Sequence, residues 1–225
     1  MRNLFLFFLI TLLTGSPVIA LLVIAAIYLA LDYQFIGVSR WLYRGVRRGV
    51  AIRALIRGLE LNPHDAAART DLGRLLVEAR RYREAVAHLE RAFERMADTD
   101  ETAYYLGLAR LWTGSVADGE ALLLQVLGRS PKFRYGEPYL RWGEYLLAAG
   151  RVPEAAERLE QFCAIFSSSV EGHYLLGVAY ARADERAQAE KAFRGALEMF
   201  RRSPGYKRRD ERWWAWRARL RLLTA

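Results

Sequence analysis

Hydrophobic and polar positions follow two different patterns along the chain. From Leu4 to Leu31 there are 28 residues without a single charge. Beyond them, apolar side chains return every three or four positions, the period of a helix with one buried face. Polar turns break this pattern at ARRYREA (79–85), WTGSVADG (112–119), AAGRVPEA (148–155) and ARADERAQA (181–189). The pattern predicts an all-α chain: an apolar N-terminal helix, then helix–turn–helix units.

The units are in register with one another. Gly73 in DLGRLL, Gly107 in YLGLAR, Gly143 in RWGEYL and Gly177 in LLGVAY are separated by 34, 36 and 34 residues. Twelve residues after each glycine stands another small residue, Ala85, Gly119, Ala155 or Ala189. Small residues at fixed places in two consecutive helices let those helices approach closely. A helix pair of this length cannot bury its apolar face alone, so stacking must supply the core.

This arrangement resembles the tetratricopeptide repeat family, whose pattern is W-x-x-L-G-x-x-Y, then A-x-x-x-F and a proline, over 34 residues. The matches are Leu72-Gly73, Leu106-Gly107, Leu176-Gly177 with Tyr180, and Ala189 with Phe193 and Ala196; Pro63 and Pro131 fall between units. The family's tryptophan is replaced by Arg69, Ala103 and His173. The expected organisation is a transmembrane anchor over 1–34, a degenerate first repeat over 35–65, four repeats over 66–204 and a capping helix over 205–225. In the degenerate unit, FIGVSRWLYRGV (35–46) and RGVAIRALIRGLELNP (48–63) are the two expected helices.

The apolar start is long enough to cross a bilayer, which takes about 20 residues as a helix. Its interruption TGSP (14–17) leaves pieces too short for two spans. A cleaved signal peptide would be followed by a second apolar run at once, unlike a typical mature start. One uncleaved span over residues 4–31, tilted or kinked at Pro17, fits best. Arg40, Arg44, Arg47 and Arg48 follow it, whereas only Arg2 and the amino terminus precede it. The positive-inside rule then places the protein in the inner (cytoplasmic) membrane as a single-pass chain, repeats on the cytoplasmic side.

Charge changes the picture of partners. The net charge is +9, but residues 1–60 hold seven arginines against Asp32 and Glu60, and residues 201–225 hold nine basic side chains against Asp210 and Glu211. The repeats between them carry a small net negative charge, so the basic stripe expected of a nucleic-acid module is missing. No catalytic constellation, phosphate loop or metal-ligand spacing emerges, and Cys163 is the single cysteine. The chain is therefore expected to be no enzyme, to need no cofactor and to bind no small-molecule substrate. Ser167-Ser168-Ser169 reads as an inter-repeat loop that caps the following helix.

The family resemblance implies a concave partner-binding surface made by the first helices of successive units. Carried onto this chain, that surface holds Tyr104, Tyr105, Leu108 and Trp112 from one unit, Leu140 and Arg141 from the next, and Tyr174 and Arg182 from the last. The places that clamp a chaperone C-terminal carboxylate in some relatives hold Thr70, Arg74, Leu108 and Tyr105, which excludes that partner type. The implied function is a membrane-tethered scaffold for a protein partner, itself membrane-bound, with residues 4–31 in lipid. An integral accessory subunit of a large membrane enzyme complex is the alternative.

The tail RRDERWWAWRARLRLL (208–223) gathers Trp213, Trp214 and Trp216 among arginines. Trp213 and Trp216 repeat the spacing of the family's first-helix signature, with Arg217 where glycine belongs. Trp213, Trp216, Leu220 and Leu223 form one helical stripe. This stripe is expected to cover the last repeat, with contact to a membrane or partner as the competing reading.

Overall fold

The structure, a computed structural model, describes residues 11–12, 15–31 and 38–224. Among them all regular elements are helical. Residues 1–61 and 62–225 form separate compact units.

In the first unit, α1 (Pro17–Leu31) is a 15-residue helix with no charge in it. Its backbone breaks on the N-terminal side, where Gly15 takes a left-handed φ of 67°. At about 1.5 Å per residue α1 spans about 22 Å, short of the roughly 30 Å of a bilayer core. Among the described residues no helix is long and apolar enough to cross a membrane. Most of the residues that would extend α1 to the expected 4–31 span lie outside the described ones.

α2 (Val38–Leu61) is a single helix of 24 residues. This corrects the expected helix–turn–helix over 35–65. No left-handed residue interrupts it between the two expected helices, and Gly45 and Gly49 are accommodated within it.

The second unit holds four antiparallel pairs: α3 (Ala66–Glu78) with α4 (Tyr82–Phe93), α5 (Asp100–Thr113) with α6 (Val116–Arg129), α7 (Glu137–Ala148) with α8 (Val152–Ile165), and α9 (Val170–Arg182) with α10 (Arg186–Arg202). α11 (Gly205–Thr224) follows and packs on α10 and α9. The glycine period has a steric cause. A Cβ on Gly177 would lie 2.6 Å from the Phe193 ring, and one on Gly73 2.3 Å from Leu89 Cγ. The large side chain four residues beyond the second small position (Leu89, Leu159 or Phe193) thus occupies the space a first-helix side chain would need.

The turns repeat as well. Arg80, Gly114, Gly150 and Asp184 are all left-handed, with φ of 60°, 99°, 78° and 59°. Each ends the first helix of its pair, where a left-handed residue stops the helix. Asp65 and Ser169 open α3 and α9 as N-caps, accepting from the amides of Ala68 and Gly172. Successive loops are tied in the same manner: Arg95 donates to the His64 carbonyl at 3.3 Å, and Arg129, 34 residues on, donates to the Asp98 carbonyl at 3.3 Å.

A cleft on the first-helix face

The first helices α3, α5, α7, α9 and α11 form one face of the second unit, and they bury most of the side chains expected to line it. Tyr104 and Tyr174 are fully buried, and Tyr105, Leu108 and Leu140 nearly so. These five are inter-repeat core, which corrects their assignment to an open surface. Their position in the repeat faces the next first helix, and close stacking removes it from solvent. Tyr104 meets Phe133 edge-on at 5.6 Å, and Tyr174 sits between Phe193 and Trp214. Burial raises the phenol pKa of Tyr104 well above 10 and pushes that of Tyr105 to about 12.

Trp112, Arg141 and Arg182 stay accessible. Trp112 stacks on Tyr82 at 5.5 Å and meets Tyr145 edge-on at 5.3 Å, an aromatic row running across three helices. Arg182 donates to the Leu147 carbonyl of the preceding unit. Arg141 bonds Glu144 at 3.0 Å and Glu171 of the next first helix at 2.8 Å. Burial disfavours its charge, but Glu171 and Glu144 outweigh that and raise its pKa.

A cleft of about 330 Å³ opens beside this network, at the N-terminal ends of α7, α9 and α11. Its apolar lining comes from Tyr135, Leu140, Phe162, Phe166 and Trp214. Its polar rim is Arg134, Glu137, Arg141, Glu171, Asp210 and Glu211. The rim charges are held in pairs: Arg134 with Glu137 at 2.7 Å, Arg141 with Glu171, and Glu211 with Lys207 at 3.3 Å. Lys207 also lies over the Phe166 ring, 5.0 Å from its centre. An apolar floor within a paired polar rim suits a hydrophobic side chain of a protein segment better than a charged small molecule.

The repeat pattern does not mark Arg134 and Tyr135 as site residues, although one signal in the spacing points at them. The interval from Gly107 to Gly143 is two residues longer than the others. The extra residues fall in a short 3-10 turn, Phe133–Gly136, where Arg134 and Tyr135 take left-handed φ of 47° and 57°. The turn carries Tyr135 out to the mouth of the cleft, 75% exposed and 5.9 Å from the Phe166 ring.

The tail helix packs in a register opposite to the expected one. Ala215 and Ala218 are buried and Trp214 is half-buried against Tyr174, whereas Trp213 and Trp216 are 58% and 51% exposed. α11 covers the last pair, but through Trp214 and two alanines. Small side chains bring α11 close to the last pair, which the bulky stripe could not do. Arg217, at the glycine position of the repeat, lies over the rings of Tyr174 (4.8 Å) and Trp214 (5.4 Å).

Cys163 is a half-buried thiol whose pKa burial raises to about 12, with Glu160 adding to the shift. Among the described residues no group of three His, Cys, Asp or Glu side chains could hold a metal ion.

Two models of the tetratricopeptide repeat family match the chain, over residues 49–111 and 140–222. Together they span more than half of it, and the chain carries tetratricopeptide repeats, a class of scaffold that binds other proteins. Solved structures of MamA share the fold. One is 22% identical, with a TM-score of 0.58 over 67% of this chain and 87% of that chain. Another, MamA from Desulfovibrio magneticus RS-1, is 17% identical, with a TM-score of 0.60 over 77% and 97%. At such identities the likeness is one of fold. No curated protein matches the chain.

Proposed function

We propose that the protein is a non-catalytic, membrane-tethered scaffold that holds a segment of a membrane-bound partner in the cleft beside Tyr135 and assembles or stabilises a membrane complex. The observation that carries this reading is the cleft itself: an apolar floor, a rim of charges already paired, and an exposed aromatic at its mouth. Aromatic side chains contribute to protein interfaces out of proportion to their number.

Tethering rests on α1 and the residues before it. Val18, Leu21 and Leu22 are largely exposed on a helix with no polar face, a surface that needs lipid or protein cover. With the uncharged residues 4–16 the segment has enough residues to span a bilayer. The arginines after Leu31 favour repeats on the cytoplasmic side of the inner membrane. Holding the cleft at the membrane raises its effective concentration toward partners there without adding a contact.

The test is affinity purification from gently solubilised membranes, comparing the parent with Tyr135→Ala. Loss of one partner at unchanged melting supports the cleft; equal recovery refutes it. Release of the chain by carbonate refutes the tether, and activity of a periplasm-only reporter fused after Ala225 reverses the sidedness.

A further inference from the structure

The outer face of α11 has the wrong chemistry for a terminal cap in water. A capping element normally buries one face and presents a polar one to solvent. α11 buries Ala215 and Ala218. About 100° per residue puts Trp213, Trp216, Leu220 and Leu223 on the opposite side. All four are exposed, Leu223 at 78%, and the two indoles stack on each other with centroids 5.1 Å apart. Arg208, Arg212 and Arg219 run along one border of this stripe, and all three are exposed. On the other border stands Arg217, 5.9 Å from the centre of the Trp213 ring.

A helix packed as in the repeats is a poor occupant of this face. In each repeat the corresponding face receives a second helix because glycine stands at the point of closest approach; a Cβ on Gly177 would already meet Phe193 at 2.6 Å. Here that point is Arg217, whose Cβ and stem occupy the space that glycine leaves open for a second helix. A lipid surface has no fixed shape and needs no such gap. Residues 201–225 hold nine basic groups against two acidic ones, a balance complementary to anionic headgroups. Tryptophan favours the membrane–water boundary, and long arginine side chains reach phosphates while their stems stay with the apolar stripe.

We propose that the Trp213–Trp216–Leu220–Leu223 face of α11 lies on an anionic membrane surface, its indoles at the headgroup–acyl boundary and Arg208, Arg212 and Arg219 on lipid phosphates. The helix is interfacial, not spanning, and it stays docked on the repeats through Trp214 while it touches lipid. This contact does not rest on the N-terminal tether, since its side chains and charge belong to the second unit.

The experiment reads Trp213 and Trp216 alone. Full-length protein in lipid nanodiscs, and full-length protein mixed with preformed vesicles, is compared with its Trp213→Phe/Trp216→Phe variant; the difference in emission is the signal of these two indoles. The discs and vesicles contain brominated acyl chains and either phosphatidylglycerol or phosphatidylcholine headgroups. The proposal expects this difference signal to be strongly quenched in phosphatidylglycerol and to recover most of its intensity in phosphatidylcholine or at raised salt, which screens headgroup attraction. Quenching with vesicles when the chain fails to insert separates this contact from the tether. An unquenched difference signal in phosphatidylglycerol overturns the proposal. So does a blue shift of that signal, without lipid, that grows with protein concentration or with an added single-stranded oligonucleotide, for then a second copy or a nucleic acid covers the face.

Discussion

The indole of Trp214 packs on the phenol of Tyr174, ring centroids 5.4 Å apart, and this pair seats α11 on the last repeat. Trp213, one residue earlier, points about 100° away and stacks on Trp216 instead. Neighbouring tryptophans therefore carry opposite expectations. Trp214→Ala should destabilise the protein by about 3 kcal/mol, the low end for a truncated buried aromatic because the ring keeps some exposure. Trp213→Ala should cost about 0.5 kcal/mol or less, as for other exposed positions. Urea unfolding followed by circular dichroism separates them, and a larger loss for Trp213→Ala would reverse the register of α11.

Glycines at two kinds of place should respond with opposite signs. Gly177→Ala puts a methyl group 2.6 Å from Phe193 and should cost about 1–3 kcal/mol through overpacking. Gly128 lies in α6 with nothing within 4 Å of its would-be Cβ, so Gly128→Ala should stabilise by roughly 0.5 kcal/mol. Equal effects in the same unfolding assay would mean that the 34-residue period has another cause.

Arg80 occupies the left-handed position that glycine fills at 114 and 150. An L side chain there costs about 1 kcal/mol. Its ion pair with Glu144, at 4.0 Å and largely exposed, offsets little of that. Arg80→Gly should raise melting by about 2–4 °C, the shift that about 1 kcal/mol produces in a chain of this size. A fall in melting would show that the Arg80 side chain matters more than its backbone.

Cys163 should be slow to react with thiol reagents in the native protein at pH 8 and fast once unfolded. Its pKa rises from an ordinary 9.0 to about 12, so almost no thiolate is present. The same shift fixes a sign for stability. Between pH 9 and 12 the folded thiol keeps a proton that the unfolded chain gives up. That stabilisation is complete below pH 9 and is lost as the pH climbs toward 12. Burial of the Tyr105 phenol, raised from 10.0 to about 12, acts in the same direction. Unfolding free energy measured between pH 8 and pH 11 should decline, and a rise would contradict both burials.

The sequence announces the repeats because their requirement is local. A side chain added at a glycine facing Leu89 or Phe193 overlaps that residue, so the period is visible where the family's tryptophan is not. The Ser169 cap is legible for the same reason, since one hydroxyl and the Gly172 amide suffice. Facing is harder to read. Trp213–Trp216–Leu220 and Trp214–Ala215–Ala218 are both helically spaced stripes; hydrophobicity favours the first, whereas close packing takes the second. Tyr104 and Tyr174 pose the same problem, because a first-helix aromatic faces solvent or the next repeat according to how tightly the repeats stack. The two helices expected over 35–46 and 48–63 form one helix over Val38–Leu61, because no turn residue separates them. The cleft depended on a two-residue excess in one interval, visible in the spacing but silent about where Tyr135 would point.

In the proposed function the partner docks on the first-helix face, at the mouth of the cleft. A photo-crosslinking amino acid placed at Tyr135 in the full-length protein and activated in intact membranes reports on that contact. Gln188, exposed on the second helix of the last repeat, serves as the comparison. Docking at the cleft should give a discrete covalent adduct from position 135, lost when Phe166 is changed to a charged residue, and none from 188. Adducts from 188 with none from 135 would place the partner elsewhere.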